Sequence, residues 1–179
     1  GFRHSSIPAG QKRLFSLGQQ LGFKVDTTEN SSLFTEANLR QYKAVVFLNT
    51  TGNILDEAQQ EAFERYIQAG GGFVGIHAAT DTEYEWPWFT RLVGGQFDGH
   101  PSNPNVQEGV AYAVTHDHPS MKGFPQRWTI KDEFYDFKNL YKHLNILVKI
   151  DESTYKEGKM GDNHPMSWYH EYDGGKSFY

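Results

Sequence analysis

Apolar residues at Leu14, Leu17 and Leu21 fall at helical spacing, in a segment that Ser5 or Ser6 can cap and Gly22 can stop. Phe23, Val25 and Thr27 then alternate with polar neighbours as a short strand. The polar run from Glu29 to Ser32 leads to Thr35, a cap for a brief helix through Tyr42. Ala44 to Leu48 is apolar at every position, the pattern of a strand buried on both faces of a parallel sheet. Asp56 and Gln59 have capping-box spacing; Ala58, Ala62, Phe63, Tyr66 and Ile67 mark one helical face, and Gly70 to Gly72 end it. Phe73 to Ile76 is the next strand. This β-α-β-α-β rhythm predicts an α/β fold with a doubly wound, mostly parallel sheet. From Glu83 onward the pattern loosens. Val106 to Val114 and Leu144 to Ile150 read as strands, separated by loops dense in Gly, Pro, Asp, His and Trp. Long ordered loops on such a sheet are usually functional.

Composition narrows the picture. A length of 179 residues fits one domain, and 15% aromatic residues within a 37% apolar share give a core rich in large rings. The net charge of −5 lacks the basic footprint of a nucleic-acid binder. The Ala44–Leu48 run falls far short of the roughly 20 residues a membrane span needs. Cysteine is absent, which removes disulfides, thiolate metal sites and cysteine nucleophiles together. No Ser/Thr/Gly phosphate cradle follows a first strand, so neither a nucleotide nor a flavin is expected. Residues 1–179 read as one domain cut inside secondary structure at both ends.

His77 is the first chemical candidate. It ends a strand within Gly75-Ile76-His77-Ala78-Ala79, the small-x-nucleophile-x-small pattern of a sharp strand-to-helix elbow, where ligands of open α/β sheets bind. An imidazole there suits a general base, an electrophile or a metal ligand; the alternative is a histidine hydrogen-bonded in a turn.

The segments Phe2-Arg3-His4-Ser5-Ser6-Ile7, Val46 to Gly52 and Gly71 to His77 resemble the trehalose-utilisation (ThuA-like) family. Tyr84 to Trp88, Gly94 to Pro101, Asp132 to Tyr135 and Asn163 to Trp168 extend the match along the chain in order. The resemblance implies a three-layer sandwich similar to class I glutamine amidotransferases, with a flavodoxin-like core and a mostly parallel sheet. It also implies a strand before Gly1 and further chain after Tyr179, fused domains outside this stretch, and a periplasmic or secreted location, leaving a cytoplasmic one open. The family is associated with the use of trehalose and related disaccharides, so a substrate of that class is what the resemblance implies. Glutaminase activity does not carry over, because His77 stands where those enzymes place their elbow cysteine.

Other residues then become candidates. His4 is expected at the same sheet edge as His77. Asp81 and Glu83 follow the elbow and can orient an imidazole, although acids there also serve a helix dipole. Asp98 and His100 share one tight turn, which also reads as an Asx turn. His164 and His170 lie six positions apart, and Glu133 is the stronger acid of the Asp132–Glu133 pair. His116 and His118 alternate on extended backbone and point apart, so they read as structural or exposed; His143 reads as surface. His4, His77, His100 and His164 together suit a divalent metal such as Zn or Mn. Trp86, Trp88, Phe89 and Trp168 suit a sugar platform, or else core, with one of Trp86 and Trp88 facing the site.

Two functions are weighed. One is a sugar-processing enzyme in which His77, aided by His4, His100 or His164, performs acid–base or metal-assisted chemistry on a disaccharide or its keto form. Hydrolysis by two carboxylates would draw on Asp81, Asp98 or Glu133. The other is a non-catalytic carbohydrate-binding or accessory domain.

Overall fold

The computed structural model describes residues 1–179. Its helices are α1 (Ile7–Leu21), α2 (Glu36–Leu39), α3 (Glu57–Gln68) and α4 (Pro87–Val93). Its strands are β1 (Ala44–Leu48), β2 (Gly72–Ile76), β3 (Gln96–Gly99), β4 (Val106–Ala113), β5 (Arg127–Glu133), β6 (Asp136–Lys138), β7 (Asn145–Asp151), β8 (Pro165–Tyr172) and β9 (Gly175–Phe178). Seven strands form one mixed sheet in the order β1-β2-β9-β8-β7-β4-β5, and β3 pairs with β6 separately.

The fold is α/β, but the sheet is not mostly parallel. Only β1–β2 and β2–β9 run parallel; the pairs from β9 through β8, β7 and β4 to β5 are antiparallel. The connections explain the difference. Between β1 and β2 the chain crosses over through α3, which brings it back in the same direction. Between β8 and β9 it has only the turn Asp173-Gly174, and so short a link can only reverse the strand.

Local sequence decides most helix ends. Asp56 Oδ1 accepts the Gln59 N–H while Gln59 Oε1 accepts the Asp56 N–H, closing the capping box of α3. Thr35 caps α2 through the Asn38 N–H. Gly22 ends α1 at φ 79°, its N–H returning to the Gly18 carbonyl. The start of α1 differs from expectation. Ser6 occupies the cap position, but its hydroxyl accepts from the Asn49 amide beyond β1 and caps nothing.

Two strand expectations are corrected. Phe23, Val25 and Thr27 form no strand: the sheet ends at β1, and the Phe23 N–H turns back to Gly18 O of α1 at 3.0 Å instead of joining a ladder. Val25 instead lays a methyl against Gly18 of α1. β1 is not buried on both faces: Phe47 sits in the core while Val46 remains 37% exposed. On that second face α1 covers only part of the strand, with Gly10 packed on Leu48.

Between β1–β2 and the helices α3 and α4 lies an aromatic core. Phe47 stands 5.7 Å from Phe63 and 5.4 Å from Phe73, and Phe73 stands 5.6 Å from Phe89. Each fully buried ring of this kind stabilises by about 1.5–3 kcal/mol. The core anchors β2, and β2 delivers its last residue to the site.

Candidate functional site

β2 ends at Ile76, and the chain turns directly into a 3-10 turn, His77–Asp81. His77 takes a left-handed backbone at φ 51°, a conformation that costs a non-glycine residue about 1–2 kcal/mol. The surroundings hold it there. The Tyr179 hydroxyl donates to the His77 carbonyl at 2.7 Å, and Thr80 Oγ1 donates to the same oxygen at 3.3 Å. Small neighbours are required by contact: a Cβ on Gly75 would lie 3.1 Å from the Tyr179 ring and 3.2 Å from Ala79 Cβ. The expected elbow is therefore present, continued by a 3-10 turn. Beside it, β1 is followed at once by Asn49 at φ 53°, whose N–H donates to Ile76 O at 3.2 Å. Two parallel strands thus each lead directly into a left-handed residue, side by side.

Glu133 ends β5 and reaches this edge. Its Oε2 accepts from His77 Nε2 at 3.1 Å, and its Oε1 accepts from Asn105 Nδ2 at 3.0 Å. His100 Nε2 stands 3.5 Å from that same Oε1. His100 Nδ1 lies 2.6 Å from the Pro101 carbonyl oxygen. A carbonyl can only accept, so Nδ1 carries the proton, and only the imidazolium form turns an N–H toward Glu133. His4 meets His77 edge-on with ring centroids 5.0 Å apart, and its Nε2 lies 3.4 Å from the Tyr135 hydroxyl. The buried Tyr135 ring forms the floor, 4.1 Å from the His77 ring and 4.3 Å from Phe97.

His77 keeps 24% of its side chain exposed, enough for a reactant to touch. Burial pushes its imidazole pKa down and His4 adds to this, while the charges of Asp132 and Glu133 oppose it. A neutral ring that donates Nε2–H to Glu133 presents Nδ1 as a base. Burial foremost, then the charge of Glu133, pushes the Tyr135 phenol far up, so it stays protonated.

The structure places His4, His77, His100 and Glu133 in one cluster, with Asp81 at its margin. Asp81 accepts from the Tyr84 hydroxyl, and Asp98 pairs with Lys138 at 3.2 Å. Both are spoken for as carboxylates. Glu83 is a buried anchor, accepting from the N–H groups of Ile54 and Leu55 and from Gln60.

Five expected site residues lie elsewhere. His164 is buried behind the Tyr135 backbone, its Nε2 donating to Tyr135 O at 2.8 Å. His170 and Trp168 share the face of β8 turned to α4; they donate to Arg91 O at 2.8 Å and Val93 O at 2.9 Å. Trp86 and Trp88 stack at 5.1 Å within the aromatic core. Trp86 donates to Glu64, and Trp88 to Asp173 at the turn before β9, the end opposite His77. Indole N–H groups pinned this way serve packing. Tyr135, Phe97 and Asn105 were not foreseen. Tyr135 had a signal: it lies two residues beyond Glu133, within one of the segments that carry the family resemblance.

His4, His77 and Glu133 also place three donor atoms within 4.8 Å of one another, a nitrogen-and-oxygen set able to hold a divalent metal. His100 stands beside that set, and His164 is outside it.

A family profile described as trehalose utilisation, ThuA, matches residues 1–179. A ThuA-like protein of Bacteroides uniformis ATCC 8492 superposes with a TM-score of 0.77 at 25% identity, over 95% of this chain and 72% of its own. A second, from Parabacteroides merdae ATCC 43184, gives 0.75 at 24% identity, over 99% and 74%. A GMP synthase subunit of Thermoplasma acidophilum gives 0.56 at 13% identity over 92% and 74%, a likeness of fold alone. No curated protein sequence matches. The profile spans the chain from end to end, and the chain belongs to the ThuA trehalose-utilisation family.

Proposed function

We propose that the chain is a carbohydrate-processing enzyme acting on trehalose-like disaccharides or their keto derivatives through acid–base chemistry centred on His77. The observation that carries this reading is one carboxylate, Glu133, facing two imidazoles, with His77 at 3.1 Å and His100 at 3.5 Å. On a keto sugar, His77 Nδ1 removes the proton from the carbon next to the carbonyl. The electron pair moves onto the carbonyl oxygen, giving an enolate in the cleft lined by His77, His100 and Tyr135. Passing the proton of the adjacent hydroxyl to the enolate oxygen and returning the His77 proton to the former carbonyl carbon completes an isomerisation. Loss of an oxygen substituent from the β carbon, which leaves with the His77 proton as the carbonyl re-forms, completes an elimination. Burial of His77 supports the role by favouring its neutral form. The elbow imidazole and a chain without cysteine argue against a glutaminase.

Incubation with trehalose and with its keto form in D2O, followed by NMR, tests the reading. Deuterium should enter at the carbon beside the carbonyl, and His77→Ala should lower both exchange and product by about 10²–10⁴-fold. Binding that His77→Ala weakens, with neither exchange nor product from the wild type, would establish the accessory-domain alternative.

The proximity of His4, His77 and Glu133 donor atoms favours a second reading in which these residues hold a divalent metal. Such an ion would polarise the sugar carbonyl as a Lewis acid. Activity unchanged after chelation and by added Zn or Mn would sink it.

A further inference from the structure

A second cluster of titratable groups is buried behind the Tyr135 backbone. Donor atoms of Asp136, Glu152 and His164 all lie within 4.8 Å of one another, and the cluster shares no residue with the set around His77. His164 is 0% exposed and Asp136 is 2% exposed. Because His164 Nε2 must donate to the Tyr135 carbonyl, the ring proton is fixed there. The other nitrogen, Nδ1, lies 2.7 Å from Glu152 Oε1 and 3.0 Å from the Tyr155 hydroxyl. In a neutral ring its lone pair confronts a carboxylate.

Asp136 poses the same problem more sharply. Its Oδ1 accepts the Lys159 N–H at 3.1 Å, while its buried Oδ2 has no hydrogen-bond partner. A lone pair and two carboxylates therefore converge in a largely buried space, with one phenol hydroxyl to share among them. A proton between Glu152 and His164 satisfies that pair and still leaves Asp136 Oδ2 alone. A cation satisfies all three.

We infer that Asp136, Glu152 and His164, through Nδ1, form a binding site for a divalent transition-metal cation of the Zn or Mn type. The ligand set is one imidazole nitrogen and two carboxylates, without sulfur, which suits those ions. A histidine whose second N–H is held by a backbone carbonyl is oriented as metal-bound imidazoles are. Glu152 is also preset: Oε1 accepts the Met160 N–H at 2.8 Å and Oε2 the Gly161 N–H at 2.9 Å. Gly158 wraps so closely that a Cβ there would stand 2.5 Å from Glu152 Cδ. Since His164 also holds the Tyr135 carbonyl, the ion locks the turn that carries Glu133 and Tyr135 into the His77 cleft.

Metal analysis separates this site from the one at the elbow. The chain is purified without a polyhistidine tag, stripped with chelator and dialysed against Zn or Mn. Bound metal and Tm are then measured for wild type, Asp136→Asn, Glu152→Gln and His4→Ala. The expected result is one equivalent retained by wild type and by His4→Ala, with affinity reduced at least about 100-fold in Asp136→Asn and Glu152→Gln. Metal should raise the Tm of wild type and not that of Asp136→Asn. Stripped Asp136→Asn should melt no lower than stripped wild type, because it removes a buried unpaired charge, so its loss of metal reports ligation and not misfolding. If wild type binds two equivalents, Asp136→Asn must lose one of them. Metal retained by Asp136→Asn, or none bound by wild type, overturns the inference.

Discussion

His77 Nε2 and Glu133 Oε2 stand 3.1 Å apart, joining the elbow after β2 to the end of β5 across 56 residues of chain. This contact chooses the tautomer of His77. With its Nε2 proton committed to the carboxylate, the ring offers Nδ1 outward, and the left-handed backbone of His77 fixes where that nitrogen points.

If this pairing sets the base, the two residues act as a unit. His77→Ala should lower deuterium exchange into a keto disaccharide by about 10²–10⁴-fold, the range of a lost general base. Glu133→Gln preserves shape but removes the charge, and should cost less. The double variant should be no slower than His77→Ala alone, because residues working together lose their effect once. Multiplying penalties in NMR exchange rates would separate the two roles and refute the pairing.

Acid should destabilise the fold through two imidazoles. Burial pushes the pKa of His77 and of His170 down. Unfolded histidines take up protons near pH 6.5 while these folded rings do not, so below about pH 6.5 the unfolded chain binds more protons and stability falls. The loss continues until pH passes the lowered folded values, and nothing from this source changes above neutrality. His170 Nδ1 is buried without a partner. His170→Gln keeps a donor for Arg91 O and has no proton to gain, so its plot of Tm against pH should be shallower below 6.5.

The elbow was legible in sequence because it is local: Gly75, His77 and Ala79 are each required within one turn. The capping box of α3 was legible for the same reason. The histidine and the tryptophan of β8 were not, because their direction depends on pairing with distant chain. Register alone turns Trp168 and His170 toward α4, where they meet Val93 and Arg91 carbonyls some 75 and 79 residues away. The strand polarity after β3 was equally hidden. A βα alternation in the first half was extended into a half whose links contain no crossover helix.

Gly75 should be the least replaceable position of the elbow. A methyl at Gly75 would stand 3.1 Å from Tyr179 Cδ2 and 3.2 Å from both Ala79 Cβ and Val93 Cγ2. Each contact must give by a few tenths of an ångström, so Gly75→Ala should cost about 1–3 kcal/mol in urea denaturation. Because Tyr179 also holds the His77 carbonyl, the shift should reach the site and slow turnover beyond what stability explains. Gly75→Val adds bulk with nowhere to go and should fail to fold.

Sugar affinity should separate the aromatic residues by position instead of by type. Trp88 donates to Asp173 at 2.8 Å, beside the start of β9 and at the far end of the parallel strands from His77. Trp168 is fully buried and bound to Val93 O. Trp88→Ala and Trp168→Phe should therefore lower Tm, by about 1–3 kcal/mol of stability each, without altering sugar binding to the protein that remains folded. Tyr84 is 37% exposed beside the site, and its hydroxyl lies 3.4 Å from Phe97 O. Phe97 itself covers the Tyr135 ring. Calorimetric titration with trehalose and its keto form should show weaker binding for Tyr84→Ala at nearly unchanged Tm, and weaker binding for Phe97→Ala alongside a lowered Tm, since Phe97 also packs on the Tyr135 ring. The reverse outcome, with Trp88→Ala weakening affinity and Tyr84→Ala leaving it intact, would move the sugar to the opposite end of the sheet and away from His77.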